Sequence, residues 1–228
     1  MKKLIFLTTI VFALALTVFY SCSDEFLNTT PTASTNSVIL ANEKGVDALL
    51  IGAYHALVGG GLQQDGWFGT WAWSCSVTNW VWGSVAGGDG TKGSDITDQS
   101  SIVPVEDFTV DPSNGYVSDK WNGGYEAVSR ANDVLKVLTL ATDISAEKAT
   151  QIKAQALFLR AFFHFELKRV FNNIPYITED IVDPATVGNT VDTWPMIEAD
   201  LQFAVDNLPT TQAEVGRPTK YAAEAVLA

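Results

Sequence analysis

Five tryptophans, Trp67, Trp71, Trp73, Trp80 and Trp82, fall within 16 residues in a stretch otherwise dominated by Gly, Ser, Thr and Asp. Indole faces are rigid, apolar and electron-rich. They stack on the flat C–H faces of sugar rings when a nearby amide or carboxylate takes the hydroxyls, and Asn79, Asp89, Asp95 and Asp98 supply such groups. Core packing is the competing role for each ring, yet the region between Gly59 and Lys120 is too polar and Gly-rich to bury all five. The candidate ligand-binding residues are therefore Trp67, Trp71, Trp73, Asn79, Trp80, Trp82 and Asp95. Trp80 and Trp82, flanking Asn79 and a turn expected at Gly83, stand foremost.

Catalytic chemistry finds little to work with. The two histidines, His55 and His164, both fall in helical patterns, and His164 sits in Phe162-Phe163-His164-Phe165, the setting of a satisfied structural histidine. One free cysteine, Cys75, and two distant histidines do not make a zinc site. Gly83 to Gly93 lacks the Lys-Ser/Thr of a phosphate loop. Asp89, Asp95 and Asp98 miss the calcium-loop spacing and read as a solvated loop. No pair of acids is singled out for glycoside hydrolysis. The expectation is a binding protein with no catalytic residues and no cofactor.

The N-terminus sets the address. Met1-Lys2-Lys3 is a positive start, Leu4 to Tyr20 is a 17-residue uncharged run, and Ser21-Cys22 follows. The run is short for a membrane span and reads as a signal peptide over 1–21, with Cys22 as the lipidated first mature residue. Acyl chains, at about 0.8 kcal/mol per buried CH₂, would hold such a protein to outer-membrane lipid. Residues 22–42, rich in Thr, Asn, Ser and Pro, read as a tether. Loss of Lys2 and Lys3 with the signal leaves 12 basic residues against 26 acidic ones, so no basic surface exists for nucleic acid. Only Cys75 then accompanies the lipid-bearing Cys22, which excludes an intrachain disulfide.

The rest must position the tryptophans. Apolar residues at helical spacing mark helices over Glu43–Val58, Trp121–Leu138, Ala146–Phe171 and Trp194–Leu208, with a further Ala-rich one starting near Pro218. Ser145 and Thr193 are the expected N-caps of the third and fourth. Helix pairs beginning near Trp121 and Ala146, then near Trp194 and Thr219, give an all-α layered domain over 43–228. The tryptophans lie on a long irregular excursion from it, with a brief helix expected near Thr70–Trp82. The last helix, uncapped at Ala228, is expected to be covered by further chain.

Three segments carry a resemblance. Gln155-Ala156-Leu157-Phe158-Leu159-Arg160-Ala161-Phe162-Phe163-His164-Phe165-Glu166-Leu167-Lys168-Arg169-Val170-Phe171 running into Asn172-Asn173-Ile174-Pro175-Tyr176 resembles the central signature of SusD/RagB outer-membrane lipoproteins. Trp194–Pro209 and Gly216-Arg217-Pro218-Thr219-Lys220-Tyr221-Ala222-Ala223 resemble two further segments of that family, in the same order. Asp24-Glu25 behind Cys22 resembles the acidic tag that sends lipoproteins to the cell surface. Asn173 stands where the family usually has Gly, and Asn tolerates the left-handed backbone such a helix end needs.

The resemblance implies tetratricopeptide-like helix pairs and a surface protein that captures glycan without cleaving it. It also implies delivery to a SusC-like TonB-dependent transporter, and a whole protein about twice this length. Arg160, Glu166 and Arg169 are then structural ion-pairing or capping residues. The alternative reading is a structural or adhesive lipoprotein that holds a protein partner on the same scaffold.

Overall fold

The computed structural model describes residues 37–58, 78–93, 95 and 97–228. Cys22, Trp67, Trp71, Trp73 and Cys75 lie outside the described residues, and so do the signal and most of the tether. Every regular element among the described residues is helical. In chain order these are α1 (Ser37–Leu40), α2 (Glu43–His55), α3 (Val103–Glu106), α4 (Gly115–Leu138), α5 (Ala146–Phe171), α6 (Trp194–Asn207) and α7 (Lys220–Leu227), joined by shorter turns. No described helix is long and apolar enough to cross a membrane.

Local chemistry sets the ends. The side chain of Asn42 accepts from the Gly45 N–H and starts α2, so packed chain begins within the segment read as a tether. Asn114 accepts from the Tyr116 N–H at 2.9 Å and starts α4 at Gly115, ahead of the Trp121 expected from the apolar period. Ser145 caps α5 as expected, accepting from Lys148 N–H at 3.3 Å. Thr193 does not cap α6. Its hydroxyl is buried without a partner, and the carboxylate of Asp192 accepts from the Trp194 N–H instead.

Neighbouring long helices bury their stripes against one another: α4 on α5, α5 on α6, α6 on α7, and α2 across α4 and α5. Val46 and Leu50 of α2, Val128 and Leu135 of α4, and Leu201 of α6 close on Ile152, Leu159 and Phe163 of α5. The α5 helix is covered on more than one side, since Phe158, Ala161 and His164 are buried as well. At Gly124 the α4 backbone comes so close to α5 that a Cβ would lie 2.7 Å from Leu167 Cδ2. A larger residue there would push the pair apart.

A second, smaller core underlies the excursion. Helical turns begin at Thr78 and continue through a π-helical turn, Val81–Val85. Val81 and Val85 pack with Ile102, Val105 of α3 and Tyr116 of α4, and Trp82 and Ala86 lie against them. Gly83 sits inside that helical turn rather than making a turn of its own, and Gly88, at φ +80°, does the turning.

Candidate functional site

The signature segment builds the frame. Arg160, buried in α5, donates from Nε to Asp200 Oδ2 at 2.6 Å and from Nη2 to Asp200 Oδ1 at 2.8 Å, a two-pronged pair with α6. Its Nη1 also donates to Asn132 Oδ1 on α4 and to Glu179. Asn132 passes the bond on, donating to the Ile177 carbonyl at 3.0 Å. One turn along, His164 is wholly buried between two backbone groups. Its Nδ1 lies 3.0 Å from the Arg160 carbonyl, and its Nε2 accepts from Ile177 N–H at 3.1 Å. That pairing fixes a neutral imidazole with its proton on Nδ1. Burial, aided by the Arg160 charge, pushes its pKa down to about 3. The Tyr176 ring stacks on it at 4.2 Å and donates its hydroxyl to Asp200.

Asn172, not Asn173, takes the positive φ at the end of α5, at +59°. The chain then turns so that Pro175 accepts from Tyr125 Oη and Ile177 meets His164. Arg217, of the third matching segment, ties the far end together by donating to Asp47 and Gln155. Arg160, Glu166 and Arg169 are thus ion-pairing residues of the scaffold.

The same frame reaches the tryptophans through a buried cation. Lys120 is only 3% exposed, and its Nζ donates to Glu166 Oε2 at 3.0 Å and to Asn79 Oδ1 at 2.9 Å. Arg169 donates to the other Glu166 oxygen at 3.1 Å. A buried ammonium needs such partners, because stripping its water costs several kcal/mol. The result pins the residue before Trp80 to α4 and α5 at once. Asn79, expected as a hydrogen-bonder for ligand, spends its amide oxygen on Lys120 instead.

Of the five tryptophans, two are described, and the structure gives them different surroundings. Trp82 lies half-buried against the small core, with its indole N–H buried and without a partner. Trp80 stands 44% exposed at the start of the π-helical turn. An exposed ring on an anchored turn is a pre-ordered stacking surface, and holding it still costs the free protein nothing further on binding. Asp95 is fully exposed. Its Oδ1 accepts from Thr97 N–H at 2.8 Å and Thr97 Oγ1 at 2.6 Å, and these bonds hold its pKa below the usual carboxylate range. Its second oxygen carries no such bond among the described residues. Sequence pattern located Trp80 but missed Lys120, which stands in a polar-looking turn of α4.

An all-helical frame with a tryptophan-bearing excursion pinned to its signature helix defines a class, and comparison with known proteins gives it a family. Residues 25–228 match the SusD-like family model described as "Starch-binding associating with outer membrane". The chain belongs to this SusD-like family. SusD-like protein P2 of Formosa agariphila is 35% identical over 142 residues, covering 59% of this chain and 28% of that protein. A SusD-like protein of Bacteroides ovatus is 24% identical over 226 residues, covering 96% of this chain and 38% of its own length. Among solved structures, a laminarin-binding SusD-like protein superposes with TM-score 0.66 at 26% identity, over 82% of this chain and 39% of that one. The chain therefore spans well under half the length of these relatives.

Proposed function

We propose that this chain is part of a lipid-anchored surface protein that captures oligosaccharide or polysaccharide and passes it to a SusC-like TonB-dependent transporter, with no catalytic step. The observation that carries the reading is Trp80, an exposed indole on a turn pinned through Asn79 to the buried Lys120–Glu166 pair. Family membership and a laminarin-binding relative support a saccharide as the ligand. Trp67, Trp71 and Trp73 would complete the aromatic surface, and the open oxygen of Asp95 would take a hydroxyl. Anchoring rests on Cys22 and surface exposure on the Asp24-Glu25 pair behind it.

Two experiments test the two halves. In the full-length protein, Trp80→Ala should weaken polysaccharide binding about 5- to 150-fold, by analogy with the loss of about 1–3 kcal/mol when a ring that stacks on a base is truncated. Gel retardation against a panel including laminarin reads the affinity, and thermal unfolding should stay near wild type. Unchanged binding, or a loss of binding only in step with stability, counts against the site. For the anchor, Cys22→Ala should release the protein from membranes into a detergent-free wash, and retention would refute lipidation at Cys22.

A further inference from the structure

One cavity of the frame, about 610 Å³, has neither Trp80 nor Trp82 in its lining. One wall is α4 and the other is the segment between Pro175 and Asn189 that follows the signature helix. On α4 the lining residues Trp121, Tyr125, Ser129, Asp133 and Lys136 recur at steps of three and four, so they form one stripe along the helix. At 1.5 Å per residue that stripe runs roughly 22 Å, longer than a single sugar ring. It opens on two aromatic rings, Trp121 and Tyr125, with centroids 4.8 Å apart. It then passes through a hydroxyl, a carboxylate and an ammonium.

The two walls are fixed. Tyr125 Oη donates to the Pro175 carbonyl at 2.8 Å, and Asn132 Nδ2 donates to the Ile177 carbonyl at 3.0 Å. Glu179 is held on the far wall by Arg160 through Oε2. Unlike these, the side chains of Ser129, Asp133 and Lys136 make no hydrogen bond among the described residues. The groove is thus a rigid channel of ligand-pocket size with rings at one end and unspent donors and acceptors along its length.

The lining chooses among ligands. Two carboxylates, Asp133 and Glu179, against one ammonium, Lys136, disfavour a phosphate or other anion. The far wall is largely apolar, with Pro175, Ile177, Ile181 and Val187, but the hydroxyl, carboxylate and ammonium along α4 disfavour a lipid chain, which would leave them unpaired. A neutral chain of hydroxylated rings answers both features, stacking at Trp121 and Tyr125 and exchanging hydrogen bonds with Ser129, Asp133 and Lys136. We infer that this groove is a second oligosaccharide-binding site, separate from Trp80, that grips an extended stretch of a glycan. The inference rests on the proposed glycan-capturing function and adds a site to it.

The test uses the full-length protein and polysaccharides that the wild type retards, with laminarin as the first probe. Ser129→Trp plugs the groove from an exposed position, and Asp133→Ala with Lys136→Ala removes the carboxylate and ammonium of its α4 wall without touching the core. Each should weaken binding about tenfold with an unchanged unfolding temperature. In the Trp80→Ala background either groove change should lower the residual affinity about tenfold further. If both groove variants bind as wild type while Trp80→Ala does not, the groove inference is overturned and the proposed function stands. If the wild type retards no polysaccharide at all, the function falls and takes the groove site with it.

Discussion

Replacing Arg160 with leucine should destabilise the fold by about 3–5 kcal/mol, the usual result of removing one partner from a buried ion pair. The reason is what stays behind. Asp200 keeps a largely buried carboxylate, Glu179 loses its cation, and Asn132 keeps a buried carbonyl oxygen with no donor. Lysine should restore only part of this, because a single ammonium cannot reproduce the two parallel bonds to Asp200. Urea unfolding of wild type, Arg160→Leu and Arg160→Lys reads the difference. An exposed pair such as Glu43–Lys148 gives the contrast, since solvent screens it and Lys148→Ala should leave the urea midpoint nearly unchanged. Similar losses at the two sites would mean that the Arg160 network is not what holds α4, α5 and α6 together.

Acid should weaken the fold earlier than the carboxylates alone would make it do. His164 is buried and neutral, with a pKa lowered from 6.5 to about 3. The unfolded chain takes up a proton as pH falls through about 6.5, and the folded one does not until about 3. Stability is therefore complete above pH 6.5 and falls as pH drops, by about 1.4 kcal/mol per unit, approaching roughly 5 kcal/mol near pH 3. Between pH 6.5 and 5 ordinary carboxylates remain ionised, so the loss of about 2 kcal/mol in that window belongs to the histidine. Urea midpoints across the window should show it, and His164→Gln, which does not titrate, should flatten the slope. A flat wild-type profile there would mean that His164 reaches water.

The helical frame was legible because its signals are local. Ser145 before Glu147 and an unbroken apolar stripe marked α5 at both ends, and the structure begins and ends it at those residues. Where the local signal misled, a competing one was stronger. The apolar period is clear only from Trp121 onward, so it puts the start of α4 late. Gly124 is there for the close approach of Leu167, and Asn114 supplies the cap. Thr193 looked like a cap, but burial of its hydroxyl left the role to Asp192.

The candidate site was legible only as composition. Tryptophans beside glycines mark a place where rings meet solvent, which is how Trp80 was found. Its support was hidden, because Asn79, Lys120 and Glu166 lie far apart in sequence and meet only when α4 packs on α5. For the same reason Asn79 was read as a ligand contact. Val81, Val85, Ile102 and Val105 follow no single helical period, and only the turns at 81–85 and 100–106 bring them together against Trp82.

The most direct measurement of the central claim is a crystal structure of the full-length protein soaked with an oligosaccharide that it binds in solution. The account predicts a sugar ring lying on the exposed indole face of Trp80, within about 4 Å, with the Asn79–Lys120–Glu166 chain of hydrogen bonds intact beneath it. A bound oligosaccharide that leaves Trp80 uncovered, at full occupancy elsewhere on the protein, would contradict it.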